Sequence, residues 1–331
     1  MIMKRVYLGL ILPIIGLALG CSDSDSDGQK GDNVVPDLNG RTAISVYNNY
    51  HYHYNDDGSF KMIELEGVED EIYKATFSYN PFEIEEQLRE IDYEGVYDYR
   101  FKIYDIKQNS LGYITALTIG STYQDIECSD TLSITANFKY DREHLIEAVY
   151  NLESTVMYNV PKDSVESWCE EYKIRAIWED GNMVRTLLDY EYADIIDGEA
   201  IYEPKETYVY LLEYSDVENR YNQILCNYTY ITYTDFTLAM SFLAEANYFG
   251  IGGDMLVSSF FQNGEVYADY EYELNNGGYV TKVIEHIADD DTYVRNYKYL
   301  DNQGRSEYVT LPQESMKPRP FLVRRSKHGV K

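Results

Sequence analysis

The sequence predicts a mainly β protein, a long antiparallel β-meander curled into an open or partly closed barrel with one to three short helices. Three observations carry that expectation. One theme, aromatic-x-aromatic, then a polar turn, then an apolar strand, recurs six times along the chain. Aromatic residues make up 15% of the composition, with 36 tyrosines. Asp-Gly or Asn-Asn-Gly-Gly runs separate the two halves of several copies. Alternating Tyr, Phe, Val and Thr suit a pleated, half-buried surface. Such turn pairs supply the positive φ that tight hairpins need.

In chain order, the first copy is Tyr52-x-Tyr54, turn Asn55-Asp56-Asp57-Gly58, then Phe60 and Ile63. The second is Phe138-x-Tyr140 with Leu145, Ile146 and Val149, and the third Ala176-x-Trp178 with Asp180-Gly181, Val184 and Leu187. Leu212-x-Tyr214 follows with Asn219, Tyr221 and Ile224; then Tyr270-x-Tyr272 with Asn275-Asn276-Gly277-Gly278, Val280 and Val283; then Tyr297-x-Tyr299 with Asp301-Asn302-Gln303-Gly304. Each unit reads as strand, turn, strand, and a series of hairpins makes a meander. A single sheet of this length must curl to hide its edges and one face.

Three segments read as helical. Asn80-Pro81 before Phe82, Ile84, Leu88 and Ile91, with Glu83, Glu85 and Glu86 in the first turn, combines a cap, a first-turn proline and dipole-compatible acids. Asp235 to Phe249 carries Phe236, Ala239, Met240, Phe242, Leu243 and Ala246 at helical spacing, with Gly250 as a stop. A shorter turn is expected after Pro161, through Val165 and Trp168.

The N-terminus gives an address. Residues 1–20 have a basic start (Lys4, Arg5), an apolar core over residues 6–19 and small residues at the end. That core is shorter than the roughly 20 residues of a membrane span, so it reads as a signal peptide. Cys21, after Leu17-Ala18-Leu19-Gly20, resembles the lipobox cysteine of bacterial lipoproteins. The resemblance implies cleavage, acylation at Cys21 with chains such as palmitate, and an outer-membrane lipid anchor; more than one chain is needed for stable anchoring. An ordinary signal cut near Cys21 is the plainer alternative. Ser22-Asp23-Ser24-Asp25-Ser26-Asp27 resembles the surface-export signal of Bacteroidota lipoproteins, which implies display at the cell surface, the periplasmic face being the alternative. The same letters open a calcium loop, but the twelfth position, counted from Asp23, is Val34 and no bidentate glutamate. The expected organisation is signal peptide 1–20, lipidated acidic tether 21–39, tyrosine-rich body 40–315 with a lobe boundary near 155–170 if there are two, and basic tail 316–331.

Charge bounds the partners. The 28 basic residues become 26 when Lys4 and Arg5 leave with the signal, against 57 acids, a net charge of −31. Such a chain repels nucleic acid and anionic surfaces. After Glu314 the pattern inverts: Lys317, Arg319, Arg324, Arg325, Lys327 and Lys331 stand without an acid. This tail could dock on the acidic body, contact anionic lipid or lipopolysaccharide, or fray. Cys128, Cys169 and Cys226 permit one disulfide and imply no framework.

Four blocks resemble a family known mainly from Bacteroidota, lipoproteins with a domain of unknown function and a porin-like β fold. They are residues 227–233 (Asn-Tyr-Thr-Tyr-Ile-Thr-Tyr), the apolar helix after Asp235, Phe249-Gly250-x-Gly252-Gly253, and residues 270–283, from Tyr270-Glu271-Tyr272 to Tyr279-Val280-Thr281-Lys282-Val283. The resemblance implies a fold and no activity. Porin-like does not mean a pore, because the strands carry Glu, Asp, Asn and Lys opposite their apolar residues, whereas a spanning barrel needs an uninterrupted apolar outer face.

Chemistry is sparsely marked. There is no G-x-S-x-G, H-E-x-x-H, C-x-x-C or phosphate loop, and Gly250-x-Gly252-Gly253 reads as a helix stop. His51 and His53 alternate with tyrosines and would face one side of a strand. A zinc site would need Asp56 or Glu64 to converge, and two polar residues on a wet face are the simpler reading. Asp289-Asp290-Asp291 reads as a solvated loop in preference to a calcium site. No catalytic residue, metal or cofactor is expected. Two functions remain: a non-catalytic surface lipoprotein that binds a glycan or protein or serves a structural role, and a lipid-anchored hydrolase of extracellular polymer. Six copies of one hairpin theme favour the first.

Overall fold

A computed structural model describes residues 44–299, apart from segments 56–58, 67–70, 92–95, 125–127, 159–163, 220–236 and 288–291. Cys21, Ser22 to Asp27, Asp56, Cys226, the 227–233 block, Asp289-Asp290-Asp291 and the basic tail lie outside the described residues.

Seventeen strands are described: β1 (Ile44–Tyr47), β2 (Tyr50–Tyr54), β3 (Phe60–Leu65), β4 (Glu71–Tyr79), β5 (Phe82–Ile91), β6 (Val96–Gln108), β7 (Ile114–Gln124), β8 (Cys128–Asp141), β9 (His144–Tyr158), β10 (Ser164–Glu179), β11 (Asn182–Ile196), β12 (Glu199–Tyr202), β13 (Glu206–Glu218), β14 (Met255–Gln262), β15 (Glu265–Leu274), β16 (Val280–Ile287) and β17 (Thr292–Tyr299). All pairings are antiparallel, and apart from the closing one they join neighbours in the chain, with β11 pairing both β12 and β13, which act as one interrupted strand. The meander closes: β1 pairs with β2 on one side and with β17 on the other, Ile44 opposite Tyr299 and Tyr47 opposite Tyr297. The result is a barrel of sixteen staves.

Its faces follow the period of two. In β4 Glu71, Tyr73, Ala75 and Phe77 are buried while Ile72, Lys74, Thr76 and Ser78 are exposed. In β8 Ile134, Ala136 and Phe138 are buried while Thr131, Ser133, Thr135, Asn137 and Lys139 are exposed. Cross-strand ion pairs stud the outer face, among them Lys139 to Glu147 at 2.6 Å, Arg175 to Asp189 at 2.8 Å and Lys282 to Glu273 at 3.0 Å. A lipid-facing barrel reverses this arrangement, and each Arg or Lys at its midplane would cost about 2–4 kcal/mol. The apolar face here is the inside.

A single described helix, α1 (Leu238–Glu245), fills part of that inside. Phe242 lies within 5.1–6.3 Å, ring centre to ring centre, of Tyr47, Tyr50, Tyr52 and Tyr73. The helix is shorter than residues 235–249. Thr237 caps its start, accepting from the Met240 N–H at 3.2 Å. It stops at Asn247, which takes φ of 59° and donates to the Ala244 carbonyl while the Tyr248 N–H returns to Leu243. Gly250 is therefore not the stop.

Two other expectations are corrected. Residues 82–91 form β5, not a helix, and Asn80-Pro81 is the hairpin turn before it. Ile84, Glu86 and Leu88 point in and Glu83, Glu85, Gln87 and Arg89 point out; a glutamate in an inward position broke the alternation and mimicked a helical period. No helical turn spans Val165 and Trp168, because both lie in β10, paired with β9 and β11.

The wall is uneven. β8 to β11 run 14–16 residues, whereas β14 to β17 run 8–10 and β1 to β3 run 4–6. β13 meets β14 only from Tyr210, opposite Gln262, onward. One rim therefore carries a tall stretch of wall whose inner face stands clear of the low side.

Candidate functional site

The rim opposite the tall one is sealed. Residues 248–254 run across it: the Ile114 N–H donates to Tyr248 O at 2.8 Å, Ile251 N–H to Glu143 O at 3.1 Å and Asp254 N–H to Gly181 O at 3.1 Å. Gly250 is required here, since φ is 97° and a Cβ would sit 2.5 Å from Glu143 O.

The second aromatic of every repeat serves this rim. Tyr54 donates to Ile44 O (2.6 Å), Tyr140 to Ile114 O (2.6 Å), Trp178 Nε1 to Leu145 O (2.9 Å), Tyr214 to Met183 O (2.8 Å), Tyr272 to Val257 O (2.7 Å) and Tyr299 to Val280 O (2.6 Å). In each case the acceptor lies near the start of the preceding stave, so the ring latches together strands that are joined only at the far end. Register shifts fall immediately before Tyr54, Tyr140, Trp178 and Tyr214. Bulges of this kind re-aim a side chain.

Two interior carboxylates hold the helix. Glu86 of β5 accepts from the Leu238 N–H at 3.0 Å, at the positive end of the helix dipole. Glu245, in the last turn, meets the Tyr297 hydroxyl at 3.3 Å and the Tyr52 hydroxyl at 3.4 Å. Burial pushes both carboxyls up to about 7, against hydrogen bonds from Thr237 and the Leu238 amide at Glu86 and against the nearby Arg295 charge at Glu245. Arg295 pairs with Glu285, which also accepts from Tyr270 at 3.0 Å. These groups belong to the packing of the plug.

The tall rim uses tyrosine differently. On the inner face of β10, β11 and β13, Tyr172 donates to Glu170, Tyr192 to Asp194 at 2.6 Å, and Tyr208 to Glu206. Each hydroxyl points two residues along its own strand, toward the rim. The register sets Trp168 opposite Asp194, Glu170 opposite Tyr192, and Tyr172 opposite Tyr190, which in turn faces Glu206. Tyr172 and Tyr190 rings lie 4.8 Å apart. Glu170 is 9% exposed, and burial raises its carboxyl while Tyr172, Trp168 and Tyr190 donate to it. Trp168, Tyr190, Asp194 and Tyr208 are half-buried and Glu206 is exposed. Aromatic faces alternate with carboxylates over three rungs; Glu170 is held by three neighbouring donors, while Asp194 and Glu206 keep lone pairs beyond the one their tyrosines occupy.

The sequence marked none of these rim residues as a site, and it placed Trp168 in a helical turn. The signal was present as acid and aromatic two apart, Trp168-x-Glu170-x-Tyr172, Tyr190-x-Tyr192-x-Asp194 and Glu206-x-Tyr208, which on a strand means one face. His51 and His53 lie on the outer face, His51 3.5 Å from Glu66 and His53 2.8 Å from Glu64. Each has its own glutamate, and no group of three His, Cys, Asp or Glu gathers to hold a metal among the described residues. Cys169 is a free thiol on the outer side of β10.

No protein-family model matches the chain, and no curated protein sequence matches it. Solved structures resemble it, two of them porin-like proteins of Bacteroides. A porin-like protein from Bacteroides uniformis shares 15% identity over 76% of this chain and 89% of its own, with a TM-score of 0.38. A porin-like protein from Bacteroides vulgatus shares 10% identity over 78% and 98%, with a TM-score of 0.38. The likeness is one of fold alone. The chain's own geometry supports a mainly β, closed antiparallel barrel with a polar exterior.

Proposed function

We propose that this chain is a lipid-anchored binding module of the outer membrane, tethered through Cys21, exported by Ser22 to Asp27 and displayed at the cell surface, with the tall rim as its ligand site. The observation that carries the reading is the set of Trp168, Tyr190, Tyr192 and Tyr208 interleaved with Glu170, Asp194 and Glu206 on one inner face. Aromatic faces stack on the C–H faces of sugar rings, and carboxylates accept from sugar hydroxyls. A glycan is the ligand this surface suits, and the barrel is a rigid support for it.

A glycan array probed with the mature chain carrying Cys21→Ser tests the reading. A saturable hit that weakens at least tenfold in Trp168→Ala supports it. A blank array, or a hit indifferent to Trp168, overturns it. Glu170 and Asp194, one rung apart on adjacent strands, are the two acids at this rim that a glycosidase would draw on. Release of reducing ends from a bound glycan would assign the hydrolase in place of the binding module.

A further inference from the structure

Among the described residues, the tall wall ends in an unpaired strand edge. β12 pairs with β11 through Ile196 opposite Glu199, Asp194 opposite Ile201 and Ala193 opposite Tyr202, across the Asp197-Gly198 turn. The Glu203 N–H donates to Tyr192 O at 2.9 Å. Antiparallel ladders alternate, so Glu199, Ile201 and Glu203 bond toward β11 and the N–H and C=O groups of Ala200 and Tyr202 face the other way. The last contact of the neighbouring wall is lower, where the Asn263 N–H donates to Val209 O at 2.8 Å. Among the described residues no strand covers the outward groups of Ala200 and Tyr202.

The flanks of this edge are apolar and acidic together. Ile201 is 56% exposed and Tyr202 67% exposed, with Ile196 beside them in the hairpin. Met157 and Val165, opposite each other on β9 and β10, are exposed at the same rim. Asp194 faces Ile201, and Glu206 begins the next strand segment. A bare edge with apolar flanks is a template for an added strand, and the acids select one with cations.

One segment of this chain has that chemistry. Residues 321–325, Phe-Leu-Val-Arg-Arg, are β-favouring and doubly cationic, follow Pro320, and sit in a stretch with no acid after Glu314. The described chain leaves the barrel at Tyr299, at the sealed rim. The 22 residues from there to Phe321 span up to about 70 Å extended. The tallest strand, at 16 residues, is about 50 Å long. The tail can therefore reach from one rim to the other.

We infer that residues 321–325 add as a strand to the open edge of β12, pairing with Ala200 and Tyr202 and placing Arg324 or Arg325 beside Asp194 and Glu206. The added strand borders the tall rim on its low side and sets an arginine beside Asp194 and Glu206, two carboxylates of the proposed glycan site, but it stands on the strand edge and the tail's charge and is read out with no glycan present. Amide hydrogen exchange on the whole mature chain tests it. Ala200 and Tyr202 should exchange at least tenfold more slowly in the native chain than in Arg324→Glu with Arg325→Glu. Tyr202→Pro, which removes an outward donor and no β11 bond, should speed exchange of Val323 and its neighbours. Equal rates in native and charge-reversed chains would overturn the proposal. Protection that grows with protein concentration would also overturn it, by assigning the edge to a second copy.

Discussion

The two rims of the barrel are built from the same residue type used in opposite ways. At the sealed rim, aromatic donors go to backbone carbonyls, as in Tyr54 to Ile44 and Tyr299 to Val280. At the tall rim they go to carboxylates, as in Tyr172 to Glu170 and Tyr192 to Asp194. A backbone carbonyl cannot leave its strand, so the first kind of bond holds staves together. A carboxylate on a half-open face can share its lone pairs with a ligand, so the second kind keeps a polar surface ordered and available. A tyrosine-rich composition thus says little until the partner of each hydroxyl is known.

The largest expected effect comes from the plug that separates the rims. Phe242→Ala empties the centre of the Tyr47, Tyr50, Tyr52 and Tyr73 cluster and should cost about 3–5 kcal/mol in denaturant unfolding. A loss below 1 kcal/mol would mean that the helix is not packed as described. The next is a pH effect. Glu86 and Glu245 titrate near 4.5 when unfolded and near 7 when folded. Between those values the folded chain holds more protons. Stability should therefore be greatest at the acidic end of that window and decline as pH rises through 7, by up to roughly 3 kcal/mol per carboxyl. Glu245→Gln should flatten the profile, and an unchanged slope would remove that carboxylate from the account.

Hydroxyl deletions then compare the rims directly. Each of Tyr140→Phe, Tyr214→Phe and Tyr272→Phe should cost about 1 kcal/mol of stability, because a partly buried carbonyl loses its donor, with ligand affinity unchanged. Tyr208→Phe should cost less than about 0.5 kcal/mol and weaken glycan binding severalfold. The reverse pattern in melting and binding measurements would mean that the roles of the rims have been exchanged.

Much of the fold was legible because the physics is local. Asp180-Gly181 announces a two-residue turn, and both residues take positive φ, 47° and 78°. The apolar run around Phe242 marks the helix. Two of the failures share a cause, a polar residue facing inward. Glu86 hid β5 because a strand with a buried glutamate loses its alternation, and the same carboxylate caps the plug. Glu170, Asp194 and Glu206 looked like three acids among 57. Only the register of β10, β11 and β13 shows that they share a face with Trp168 and four tyrosines. Barrel closure, too, depends on Ile44 meeting Tyr299, a pairing across the whole body that no local pattern encodes.

The chain's two tryptophans divide between the rims, Trp168 among the acids and Trp178 in the latch ring, donating to Leu145 O and stacked 4.1 Å from His144. Fluorescence quenching by caesium ion in the single-tryptophan variants Trp178→Phe and Trp168→Phe therefore tests the contrast most directly. The account predicts strong quenching of Trp168, where carboxylates gather the cation, and weak quenching of Trp178. Equal quenching of the two, or stronger quenching of Trp178, would contradict it.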